Sequence, residues 1–85
     1  MIKEEFVELT KAERAVLLLN TGEKISSRNN DGFDIVLVLI DNLFAELWYH
    51  ENTDKIVRVE IIEIEMVLNN YPELVNSSFI NEALI

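Results

Sequence analysis

Between Phe33 and Ile64 the chain carries three runs of β-branched, aromatic and leucine side chains, separated by two short polar stretches. Strands of an antiparallel meander accommodate such a pattern, because these side chains pack well on a pleated surface and each run is too short to cross a membrane. The first run, Phe33 to Ile40, ends at Asp41-Asn42, two residues that tolerate the positive φ of a tight hairpin turn. Pairing Ile40 with Leu43 across that turn sets Val38 opposite Ala45, Val36 opposite Leu47 and Asp34 opposite Tyr49 on one face. The other face then pairs Leu39 with Phe44, Leu37 with Glu46 and Ile35 with Trp48, so both faces of the hairpin are apolar and Glu46 interrupts one of them.

The second run leads through His50-Glu51-Asn52-Thr53-Asp54 into a third that starts at Lys55 or Ile56. In this third run Val57, Val59 and Ile61 alternate with Arg58 and Glu60. An odd-length loop keeps the hydrophobic sets together, with Leu47 facing Val57, Ala45 facing Val59 and Glu46 facing Arg58. After Ile61 the phase changes, as Ile62, Ile64 and Met66 become the apolar positions. A bulge near Ile61-Ile62 is one account of the change, and a helix from Glu63 to Asn69 is the other.

Ahead of the meander, Thr10-Lys11-Ala12-Glu13 has capping-box spacing and predicts a helix starting at Lys11. Its apolar stripe, Ala12, Ala15, Val16 and Leu19 with Leu18, is expected to lie on the sheet, and Gly22 to end the helix in a left-handed conformation. Met1 to Leu9 fits a short helix through Phe6 and Leu9 or an extended arm at Phe6-Val7. The segment from Gly22 to Gly32 is polar, with Ile25 its one clear apolar anchor, and reads as a connector. Beyond the meander, Asn69-Asn70-Tyr71-Pro72 stops regular structure, and Pro72 opens a short helix through Leu74 and Val75. Ser77-Ser78 suggests a further turn, and Phe79, Ile80, Leu84 and Ile85 provide apolar surface for docking.

The expected fold is therefore α+β, in a single domain over residues 1–85. A helix over 10–21 packs on a three-stranded antiparallel meander over 33–64, and a C-terminal segment over 72–85, with a short helix, covers an edge or the second face. A chain of 85 residues buries only a little over about 60% of its unfolded surface, so leaving a whole apolar sheet face in water is costly.

Chemistry-bearing motifs are weak. With no cysteine there is no disulfide framework, which fits a cytoplasmic setting, and the acidic start Met1-Ile2-Lys3-Glu4-Glu5 is unlike a secretory leader. Asn29-Asn30-Asp31-Gly32 invites comparison with a calcium loop, but setting Gly32 at the sixth position puts Val38 where the bidentate carboxylate belongs, so a turn is expected. His50 stands beside Glu51, with Glu46 on its own face, yet no nucleophile or oxyanion loop accompanies it. Glu60, Glu63 and Glu65 lack a histidine or cysteine partner and read as a solvated edge. No catalytic residue, metal ligand or cofactor is expected, and the chain reads as non-enzymatic.

Sixteen acidic against seven basic residues give a formal net charge of −9, which disfavours direct contact with nucleic-acid phosphates. Two functional classes remain. One is a protein-interaction or self-assembly module, a homodimer included, whose contact surface is the second sheet face with Ile35, Leu37, Phe44, Trp48 and Ile56, joined by Phe33 and Leu39. The same residues would serve equally as a second core layer under a terminal segment. The other class is a small acidic neutraliser of a basic partner, of the immunity-protein or antitoxin type.

Leu43-Phe44-Ala45-Glu46-Leu47-Trp48-Tyr49, then Asn52, Lys55, Ile56 and Val57-Arg58-Val59, behind the helix Thr10 to Asn20, resemble small bacterial proteins of unknown function that follow a helix with an aromatic-rich hairpin. The resemblance spans Leu9 to Ile62 and departs from a β-branched pattern at Ala45-Glu46-Leu47. It implies the helix-and-meander fold and a bacterial cytosol, and no activity.

Overall fold

The computed structural model of the chain describes residues 2–77 together with Ile80. Within that range the order is α1 (Lys3–Val7), α2 (Lys11–Thr21), β1 (Glu23–Asn30), β2 (Phe33–Ile40), β3 (Leu43–His50), β4 (Ile56–Ile62), α3 (Ile64–Asn70) and a 3-10 turn (Pro72–Leu74). The strands form one antiparallel sheet in the order β1-β2-β3-β4. The α+β class holds, but among the described residues the meander has four strands rather than three. The polar connector is β1.

That strand forms because a hairpin ladder is made of backbone groups and because Asp31-Gly32, with φ of 49° and 86°, supplies the two left-handed residues of a tight turn between Asn30 and Phe33. At the sheet edge, polar side chains cost little. Ile25 is left over where the register shifts between Lys24 and Ser26, and it packs into the cluster on the outer face.

The β2–β3 hairpin has the expected register throughout, from Ile40 opposite Leu43 to Asp34 opposite Tyr49, with Asp41 at a φ of 53°. The β3–β4 register is two residues away from the expected one: Leu47 pairs with Val59, Ala45 with Ile61 and Glu46 with Glu60. A slip of two keeps every face, so hydrophobic alternation alone does not distinguish the alternatives. The bulge lies at the start of β4, where Trp48 pairs with Arg58 but Tyr49 with Ile56, and not at Ile61-Ile62. Alternation therefore runs unbroken to Ile62, which is apolar on the outer face because it packs with the C-terminal cover. From Glu63 the chain turns into α3, the helical reading of this segment.

Two hydrophobic clusters sandwich the sheet. The inner one joins Phe6, Ala15, Leu18, Val38, Ile40, Ala45, Leu47 and Val59 beneath α1 and α2. The outer one joins Leu37 and Phe44 to Val67, Tyr71, Leu74 and Ile80. The described part of the C-terminal segment is thus a third layer on the second sheet face; Ser78, expected in a turn, and Phe79, Leu84 and Ile85, expected to provide docking surface, lie outside the described residues.

The capping box of α2 is present: Thr10 Oγ1 accepts from the Glu13 amide at 3.1 Å, and Glu13 Oε1 accepts from the Thr10 amide at 2.8 Å. Its other end differs from expectation. Gly22 has a φ of −83°, so it is not a left-handed cap. A side chain there would run into Val38 Cγ1 and lie 2.7 Å from the Leu18 carbonyl oxygen, so glycine is needed for close approach of helix end to sheet. At the N-terminal side, Arg14 donates to the carbonyls of Phe6 at 3.2 Å, Val7 at 2.7 Å and Val59 at 2.9 Å. One guanidinium thus binds α1, α2 and the edge strand β4 together.

Candidate functional site

The residues expected to form an open partner surface are distributed differently. Ile35, Leu37 and Phe44 are buried, Leu37 and Phe44 within the outer cluster. Ile56 sits on the opposite face, packed on the inner cluster, because the bulge at Val57 turns it over. Trp48 alone of the five is half-buried on the outer face. Arg58 stacks 4.6 Å from its ring, Arg28 lies at 5.5 Å and Phe33 at 5.7 Å. The second core layer is the arrangement found.

Glu46 is the polar centre of that layer, only 4% exposed between β2 and β4. A carboxylate taken out of water must be fully hydrogen-bonded or it destabilises the fold by several kcal/mol, of order 3–5 when a partner is removed. Here Arg28 donates to its Oε2 from Nε at 3.3 Å and Nη2 at 3.2 Å, the Tyr71 hydroxyl donates to the same oxygen at 2.7 Å, and Trp48 Nε1 donates to Oε1 at 3.3 Å. Burial, then the hydrogen bond and charge of Glu46, push the Tyr71 phenol well above the ordinary tyrosine range. Burial works against the Arg28 charge, yet its contacts with Tyr71 and Glu46 outweigh that and hold it above its ordinary value. With four donors on one carboxylate, the cluster's chemistry is that of a structural pin between β1, β3 and the C-terminal layer. It leaves Glu46 poorly placed to take a proton from a substrate.

The other candidates separate in space. His50 is exposed and packs on Phe33 at 5.0 Å between ring centres, while Glu46 is engaged as above and Glu51 accepts from the Asn29 side chain at 2.7 Å. Glu60 lies 3.7 Å from Arg58, Glu63 accepts from Lys3 at 2.7 Å, and Glu65 sits in the first turn of α3. Among the described residues, no group of three or more His, Cys, Asp or Glu is placed to hold a metal ion.

The surface that stays open is on α2. Ala15 and Leu18 face the sheet, but Ala12, Val16 and Leu19, three members of the stripe expected there, face outward; Val16 is 57% exposed and Leu19 63%. Five consecutive apolar residues, Ala15 to Leu19, sweep more than a full turn at about 100° per residue, so no rotation of this helix hides them all. Arg14 and the close fit at Gly22 fix the rotation by requiring those two residues to face inward. A shallow trough of about 540 Å³ runs along the outward side, lined by Leu9, Ala12, Val16, Leu17 and Asn20. Glu13, the charged residue in its wall, is already bonded to Thr10. Sequence reasoning placed the whole stripe on the sheet; Ala15 and Leu18 lie there, and Ala12, Val16 and Leu19 do not. The legible signal was the unbroken run from Ala15 to Leu19, which is too wide for one face.

Among the described residues, no helix is long and apolar enough to cross a membrane. Comparison with family models, with curated proteins and with solved structures returned no match.

Proposed function

We propose that the chain is a non-enzymatic protein-interaction or self-assembly module that docks through the outward face of α2. The observation that carries this reading is the exposure of Val16 and Leu19 in the middle of a capped helix whose ends are tied to the fold. The Ala15–Leu19 stretch of the helix is apolar on all sides, and such a stretch ordinarily has neighbours on all sides. Such a role suits a cytoplasmic protein without cysteine. The test is a photo-crosslinking side chain at Val16, with the same group at Glu60 on the far side of the sheet as control, in cells that make the protein. A discrete product from Val16 alone supports the reading; no product, or the same product from both, rejects it.

A second reading, a small acidic neutraliser of a basic partner, is favoured by a different end of the molecule. The Asn29 amide donates to Asp34 at 3.1 Å and to Glu51 at 2.7 Å, holding two carboxylates together near Asp31 and Asp54 in the adjoining turns. Capture of a basic protein that weakens steeply with salt and is lost on changing Asp34 and Glu51 to Asn and Gln supports this reading, while salt-insensitive capture rejects it.

A further inference from the structure

Resting on the reading of α2 as the docking face, we infer that its occupant is a second copy of the chain, docked α2 against α2 and antiparallel about a two-fold axis near Val16. The outward residues Ala12, Val16 and Leu19, all within α2, are spaced four and three apart, the alternation of a coiled-coil seam. In an antiparallel pair centred on this stripe, Ala12 meets Leu19 of the second copy at both ends while Val16 lies near the axis. Small faces large twice, so the stripe is complementary to itself, as an isologous contact requires.

Charge points the same way. Two molecules of net charge −9 repel wherever carboxylates meet. Helix α2 carries Lys11 and Arg14 against Glu13 alone, and Glu13 and Arg14 are bonded within their own chain. Edge-to-edge extension of the sheet is disfavoured at both ends, since Arg14 occupies the Val59 carbonyl of β4 and β1 is bulged at Ile25. An eleven-residue helix is only about 16 Å long, well short of the area of a standard interface, so the dimer is a weak one.

The experiment has two parts. Light scattering over a concentration series is expected to show the mass rising toward twice that of the chain. Leu19→Glu and Val16→Glu, at exposed positions that leave the circular dichroism unchanged, weaken the association at least about tenfold. Because the chain has no cysteine, Ala12→Cys and Leu19→Cys report orientation: oxidation of a mixture yields the Ala12–Leu19 disulfide in preference to either homodisulfide. A monomer at every concentration overturns the inference. So does a dimer indifferent to both glutamate variants, or a preference for homodisulfides, which marks a parallel pair. In the monomer case the Val16 crosslinker distinguishes the failures: a product with another protein leaves the docking face standing, and no product removes it as well.

Discussion

The Tyr71 hydroxyl donates to Glu46 Oε2 at 2.7 Å across 25 positions of sequence, and both residues are buried. This bond couples the C-terminal layer to the centre of the sheet, and Arg28 from β1 completes it on the same oxygen. The second sheet face is therefore closed by an apolar cover with one polar pin through it. An exposed apolar hairpin face would have been the natural docking surface of so small a chain; the cover closes it.

Replacing Tyr71 with Phe keeps the ring among Val67, Leu74 and Ile80 but removes a donor from a buried carboxylate. We expect a loss of about 1–3 kcal/mol in urea unfolding, with little change in the slope. Glu46→Ala, which strands Arg28 and Tyr71 together, should cost more. Equal and negligible effects would show that the pin is not formed in solution.

Alkaline pH tests the same contact by another route. Because the folded state holds Tyr71 neutral while the unfolded chain ionises its tyrosines near pH 10, the unfolded state gives up its proton first. The stabilising contribution is complete below about pH 10 and declines as the pH climbs above it. Tyr49, raised by burial and then by Asp54, adds in the same direction. Unfolding curves between neutral and strongly alkaline pH should show this decline, and Tyr71→Phe should make it shallower.

Gly22→Ala tests the close approach that sets how α2 sits. The added methyl meets Val38 Cγ1 and the Leu18 carbonyl, so a loss of about 1–3 kcal/mol is expected, with helix content retained. A neutral substitution would mean that the helix end stands farther from the sheet, and would reopen which face of α2 points inward.

The parts of this fold set by local chemistry were legible in the sequence: the Thr10–Glu13 box, the Asp41-Asn42 hairpin with its whole register, and the strand runs of β2 and β3. Strand β1 was missed because hydrophobicity marks burial, and an edge strand such as Glu23–Asn30 needs hydrogen bonds more than burial; Asp31-Gly32 was the available signal. The β3–β4 register was missed because a two-residue slip preserves every face, leaving the choice to the loop and to the bulge at Val57. Rotation of α2 could not be read from a run apolar in all directions, since it depends on Arg14 reaching three carbonyls that come together only in the folded chain. For the candidate site, the sequence named Phe44 and Leu37 as an apolar face but left open whether a terminal segment or a partner covers it, because Tyr71 and Glu46 meet only through the tertiary fold.

Carbene footprinting of the full chain, dilute and concentrated, read residue by residue, compares the two apolar surfaces most directly. We expect Leu37 and Phe44 to be protected at every concentration, and Val16 and Leu19 to be labelled when dilute and protected when concentrated. Labelling of Leu37 and Phe44 in the dilute sample, with Val16 and Leu19 already protected there, would contradict both the closed sheet face and the open helix face.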